Sequence, residues 1–222
     1  MCGRFVRKSD LRDLLSVFSA EVLDSQLEPS YNIAPRQPIA VVLEEGKRKI
    51  VTMQWGLVPS WAKDQKIGYK MINARSETIL EKPSFRKAFK NRRCLIIADG
   101  FYEWKTLGKT KIPIYIFLKD KSPFTMAGIY ETWQPPTGEP IRTCSIITTQ
   151  ANELMKPIHQ RMPVLLDRQD HNTWLDPNAD EKTLRSLLKP FDPAKMECHE
   201  VSIEVNSAHY NAEDCILPVS AA

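Results

Sequence analysis

Long hydrophobic runs are missing from this chain. No stretch of its 222 residues approaches the roughly eighteen apolar positions of a membrane-spanning helix, and the longest, such as Ile112–Leu118, are strand-sized. The opening residues, Met1-Cys-Gly-Arg-Phe-Val-Arg-Lys8, lack the apolar centre of a secretory signal. Cysteine is sparse and uneven in number: Cys2, Cys94, Cys144, Cys198 and Cys215 include no C-x-x-C pair. That argues against a disulfide framework and a zinc knuckle, and for a reducing, cytoplasmic setting. Repeats, low-complexity tracts and an evident linker are also absent, so the expectation is one domain over residues 1–222.

What is present is an ordinary globular mixture, 42% hydrophobic and 26% charged, which excludes disorder. The net charge of +4 is small, but its distribution is lopsided. Residues 1–111 hold 21 Lys/Arg against 12 Asp/Glu, whereas residues 112–222 hold 10 against 15. Between Lys82 and Arg93 there are six cations and no acid. Such asymmetry points to a polyanion-facing side, with a solvated lysine-rich surface as the plainer explanation.

Sixteen prolines interrupt the chain and exclude long helices. Ser9-Asp10 ahead of Leu11, Leu14, Leu15 and Phe18 predicts a capped amphipathic helix. Ile39–Leu43 and Ile50–Trp55 flank Glu44-Glu-Gly-Lys47 and predict a hairpin. Further strands are expected at Arg93–Ala98 and Phe101–Lys105 around an Asp99-Gly100 turn. Others are expected at Ile112–Leu118, Phe124–Tyr130, Thr143–Thr149, Pro163–Leu166 and Cys198–Ile203. Two helices are expected, around Gln169–Leu175 and Asp180–Leu188. Strands without crossover-length helices between them predict an α+β fold: a mainly antiparallel, partly barrel-like sheet with peripheral helices.

Chemistry begins at Cys2. The initiator methionine is normally removed ahead of a small residue, which would leave an α-amine and a thiol on adjacent carbons. An α-amine has a pKa of about 7.7–8.0 against ~10.4 for lysine, so a useful fraction is neutral near pH 7. A neutral amine condenses with an aldehyde to a Schiff base, and the neighbouring thiol closes on the imine carbon to a thiazolidine.

Six spaced blocks accompany it: Met1-Cys-Gly-Arg-Phe5, Tyr31-Asn-x-Ala-Pro35, Trp55-Gly-Leu-x-Pro59, Asn73-Ala-Arg-x-Glu77, Asp99-x-Phe-Tyr-Glu-Trp104 and Ile158-His-x-Arg-Met-Pro163. Together they resemble the SOS-response-associated peptidase (SRAP) family of abasic-site processing proteins, from Cys2 to about Ser202. The resemblance implies capture of an abasic-site aldehyde in single-stranded DNA as a covalent thiazolidine, by a monomer needing no metal or cofactor. It also implies residual lyase activity and removal of the protein's own Met1. By motif, Cys2 is the nucleophile, Asn73 positions the sugar, and Glu103 and His159 match the family's glutamate and histidine. Arg75 and Arg161 match phosphate-holding arginines, and Arg4 lies beside the nucleophile.

The residue types suit those roles. Imine formation needs a base for the ammonium proton and an acid to expel hydroxide as water, tasks for a carboxylate and an imidazole. Arginine forks fit phosphate, and Trp61 and Trp104 can stack on bases. Two departures stand out: Gln160 follows His159 where many relatives carry an acid, and Trp61 is followed by Ala62 where some have a second tryptophan. Trp55, His171, His199, His209 and the other four cysteines read as structural. The competing functions are an N-terminal-nucleophile cysteine amidohydrolase or peptidase, and a non-covalent single-strand or RNA binder.

Overall fold

Period-two alternation in the central strands divides their side chains between two cores, one inside a barrel and one beneath a layer of helices. The computed structural model describes residues 2–219. In chain order the elements are β1 (Phe5–Arg7), α1 (Leu14–Val17), β2 (Val22–Asp24), β3 (Ser30–Ile33), β4 (Pro38–Glu45), β5 (Lys47–Trp55), β6 (Asn73–Arg75), α2 (Pro83–Asn91) and β7 (Arg93–Ala98). They continue as β8 (Gly100–Leu107), β9 (Thr110–Leu118), β10 (Phe124–Trp133), β11 (Ile141–Gln150), β12 (Arg161–Pro163), β13 (Leu165–Leu166), α3 (His171–Leu175), α4 (Glu181–Ser186) and β14 (Met196–Glu200).

Antiparallel pairing runs β5–β4–β7–β10–β11, and a parallel contact of β11 with β5, Thr143 opposite Gln54 and Cys144 opposite Trp55, closes the ring. Inside and beneath it lie Val41, Leu43, Met53, Cys94, Ile96, Met126 and Ile146. Alternate residues Ala40, Val42, Leu95, Ile97 and Ile129 face outward, against Leu14, Phe18, Phe89 and Trp174 of the helices. A second, antiparallel sheet is ordered β14–β9–β8–β1–β3 and carries the start of the chain. The fold is α+β with mostly antiparallel sheet, as the sequence led us to expect. No helix among the described residues is long and apolar enough to cross a membrane.

Several local expectations shift. The hairpin forms as anticipated, with Glu45 opposite Lys47 and Gly46 at positive φ. The first helix shrinks to Leu14–Val17, because Ser9 does not cap it. Instead Asp99 accepts from Lys8 N at 2.7 Å and from Ser9 N at 2.9 Å, and bonds Ser9 Oγ. Asp99-Gly100 is no hairpin turn: it is where the chain leaves the barrel at β7 and enters the second sheet at β8. Gly100 is required by contact, since a Cβ there would meet the Tyr115 ring at 2.3 Å.

Helix α2 went unforeseen inside the basic run. Pro83 opens it, and Phe85, Ala88 and Phe89 turn toward the core. Pro163–Leu166 divides into β12 and β13, and the last strand ends at Glu200 rather than Ile203. Residues Ile203–Asn206 form a 3₁₀ turn instead.

Candidate active site

The β1–β8 ladder brings the chain start to the acid. Phe5 faces Phe101, and Tyr102 N donates to Arg4 O at 2.9 Å, so Cys2 lies alongside the Glu103–Trp104 segment. Asn73, at the first position of β6 on the barrel's β11, donates from Nδ2 to the Cys2 carbonyl at 2.9 Å. The Cys2 side chain is fully buried. Burial, and next the charge of Glu103, hold its thiol far above the usual thiol range. Glu103 is itself buried, and that desolvation raises its carboxyl pKa; the nearby His159 imidazole pulls the other way.

His159 sits in the loop before β12. Its Nδ1 lies 3.0 Å from Arg161 N and 3.2 Å from Arg161 O, so the Arg161 main chain holds the ring in place. Four of the sequence-derived residues, Cys2, Asn73, Glu103 and His159, therefore meet at one place. A further observation concerns Asn73: its Oδ1 is buried without a hydrogen-bond partner among the described residues.

The residues expected to meet DNA divide into two groups. Arg75 and Trp61 are exposed, Trp61 to 61%. Arg161, Arg4 and Trp104 are bonded into the fold. Arg161 forms a bidentate pair with Glu77, both N–O distances 2.9 Å, and donates to Thr148 O at 2.6 Å. That guanidinium holds the Glu77 carboxyl below its ordinary range. Arg4 donates from Nη1 to Asn32 Oδ1 and to Val205 O, each at 2.7 Å, and lies over the Trp104 ring at 5.9 Å. Trp104 Nε1 donates to Asn206 Oδ1 at 2.6 Å.

Asn32 was not singled out from the sequence, yet its amide donates to the carbonyls of Val205, Ser207 and Tyr210. The motif residues Arg4, Asn32 and Trp104 together pin the segment after β14 beside the site. The sequence signal for Asn32 was its place in the Tyr31-Asn-x-Ala-Pro35 block.

The basic run is likewise split. Arg93 is buried and donates to the carbonyls of Phe89, Lys90, Trp174 and Asp176. Arg92 pairs with Glu131 at 2.7 Å, while Lys82, Arg86 and Lys87 remain exposed. Among the bystanders, Trp55 is core, with Nε1 donating to Ile72 O at 2.9 Å. His171 is buried against Thr125 Oγ1 at 2.8 Å, and His199 Nε2 lies 2.8 Å from Ile216 O. No cluster of three His, Cys, Asp or Glu suited to a metal occurs among the described residues.

A family model described as SOS response associated peptidase (SRAP) matches residues 1–208. The abasic site processing protein YoqW of Bacillus subtilis is 49% identical over 221 residues, covering 97% of this chain and 99% of the relative. The abasic site processing protein HMCES of Gallus gallus is 36% identical, covering 88% of this chain and 68% of that protein. A crystal structure of a protein from Bacteroides thetaiotaomicron superposes with a TM-score of 0.91 at 30% identity, over 98% of this chain and all of the other. On sequence and on fold alike, the chain belongs to the SRAP family.

Proposed function

We propose that this protein processes abasic sites in single-stranded DNA by forming a thiazolidine crosslink through Cys2, after loss of Met1, a residue outside those described. The observation that carries the reading is the meeting of Cys2 with Asn73, Glu103 and His159 from four separate segments.

In this scheme the Cys2 α-amine adds to the aldehyde carbon, giving a carbinolamine. Glu103, whose buried carboxyl keeps its proton to higher pH than an ordinary glutamate, hands a proton to the departing hydroxyl, which leaves as water. The thiol then adds across the C=N bond. Sulfur bonds to carbon and the thiol proton ends on nitrogen, so the net change is the loss of one water. His159 serves as the second proton-transfer group, and Asn73 fixes the Cys2 main chain while its Oδ1, which has no hydrogen-bond partner among the described residues, accepts from a sugar hydroxyl.

The thiol's environment supports an amine-first order. Burial and Glu103 both oppose the thiolate that a cysteine amidohydrolase would need as its nucleophile. Exposed Arg75 and Trp61 provide a phosphate contact and a stacking surface.

Intact-mass analysis after incubation with an abasic oligonucleotide tests the proposal. The expected species is the protein without Met1 plus the strand minus one water. An adduct that retains Met1, or no adduct, would overturn it.

A further inference from the structure

The turn Ala34–Gln37 holds the wrong residue for its conformation. Gln37 N donates to Ala34 O at 3.3 Å, Pro35 occupies the second position and Arg36 the third, with φ of +75°. That is the type II arrangement, whose third position favours glycine because a side chain at positive φ is strained. Here the position carries arginine, and its guanidinium lies 4.2 Å from the centre of the Tyr69 ring. Tyr69 is 46% exposed, although large aromatic rings usually end up buried.

Arg36 and Tyr69 form one wall of a cavity of about 430 Å³ that also takes in Gln37, Gln54, Gln65 and His209. Gln65 Nε2 donates to Gln54 Oε1 at 2.9 Å. That bond leaves one amide donor end, on Gln54, and one acceptor end, on Gln65, without a further hydrogen bond among the described residues. Swapping the assignment of oxygen and nitrogen keeps one of each.

A chain of hydrogen bonds through Trp55 and the Ile72–Asn73 segment connects the turn to Cys2. Trp55 accepts from Arg36 N at 2.8 Å and donates to Gln37 O at 3.0 Å through its main chain. Its indole holds Ile72 O, next to the Asn73 that anchors Cys2.

We propose that Arg36 and Tyr69, with the amides of Gln54 and Gln65, form a subsite that stacks and edge-bonds a nucleobase flanking the abasic position. A planar cation on an aromatic ring offers a flat plate, and paired amides supply a donor and an acceptor to a base edge. The subsite rests on the abasic-strand reading above and adds to it a preference for an intact neighbouring base. Strain at Arg36 is what such a role would leave in the turn.

The test uses the full-length protein and two labelled single strands that cannot crosslink, because their central abasic position is a tetrahydrofuran analogue without an aldehyde. In one strand the neighbours are thymidines; in the other they are also tetrahydrofurans. Anisotropy should show the wild type binding the base-flanked strand about tenfold more tightly. R36G and Y69A should lose that preference, whereas loss of a cation alone would weaken both strands equally. R36G should also melt at a higher temperature, since glycine relieves the turn, which separates lost recognition from misfolding. Equal binding of both strands by the wild type, or an unchanged preference in R36G and Y69A, overturns the subsite. If the wild type shows the preference and the variants lose it, yet no adduct forms with a true abasic strand, the subsite stands and the crosslinking reading falls.

Discussion

The side-chain amide of Asn73 holds the main-chain carbonyl of Cys2 at 2.9 Å, so the residue that opens β6 fixes the backbone of the proposed nucleophile. A misplacement of about 1 Å at a reacting centre costs on the order of 100-fold in rate. N73A should slow adduct formation by about that factor, with stability reduced by only the ~1 kcal/mol of one hydrogen bond. Timed denaturing gels and thermal melts check the two effects separately. A wild-type rate in N73A would remove the anchor from the mechanism.

Glu103 gives a pH signature of definite sign. Its carboxyl is raised in the folded protein above the ordinary 4.5, so the native state holds the proton more tightly than the unfolded chain does. The stability this provides is fully present below pH 4.5 and is lost as pH rises through the folded value. E103Q should therefore melt higher than wild type at pH 7, and their difference should shrink toward pH 4. Adduct formation by E103Q should fall about 10²–10⁴-fold. A variant less stable than wild type at pH 7 would contradict the burial argument.

His171 runs the opposite way. Burial pushes its imidazole down from 6.5 to about 4, so it folds neutral. Its contribution is complete above pH 6.5 and is lost as pH falls toward 4, by up to about 3 kcal/mol. H171Q should flatten that acid limb in urea titrations at pH 7 and 4.5. Identical acid sensitivity in both proteins would show that another group sets it.

Arg75 and Arg161, alike in their motifs, should behave differently. R75A removes an exposed cation and should lower the salt dependence of single-strand binding by about 0.7 in log–log slope. R161A removes the fork that holds Glu77 and Thr148 O. Its main effect should be a lower melting temperature at pH 7. That deficit should fade as acid protonates Glu77, whose carboxyl the pairing holds below 4.5. R161K should not restore it, because an ammonium cannot pair bidentately. Salt-slope and melting measurements on the same three variants check this division.

Cys2→Ala separates the two reactive groups. Alanine also permits methionine removal and keeps the α-amine, but it cannot close the ring. The variant should replace the stable adduct by strand cleavage, through an imine that borohydride traps. A heat-stable adduct equal to wild type would mean the thiol is not the ring-closing atom.

Much of this was legible in the sequence where the signal is local. The hairpin at Glu44–Lys47, the Asp180-capped helix α4 and the buried Trp55 follow from turn chemistry, capping and alternation. The four residues of the candidate site were named through their spaced blocks, and the fold brings them together. What escaped was set by distant partners. Ser9 resembles a helix cap until Asp99, ninety residues on, takes its N–H and hydroxyl. Arg4 and Trp104, read as DNA contacts, also bond Val205 and Asn206 from the far end of the chain. Helix α2 was obscured because its cations Arg86, Lys87 and Lys90 equal in number the Phe85, Ala88 and Phe89 that define its buried side.

Barrel closure has a kinetic consequence. The parallel seam joins Gln54 and Trp55 to Thr143 and Cys144, contacts separated by nearly ninety residues. A contact of that span nucleates slowly, because the entropy of a long loop must be overcome before any pairing energy is returned. The same Trp55 that completes the seam also holds Ile72 beside Asn73. During synthesis, the scaffold around Cys2 therefore cannot be completed until β11 has left the ribosome, so aldehyde capture should be a property of the finished chain and not of its nascent N-terminal half.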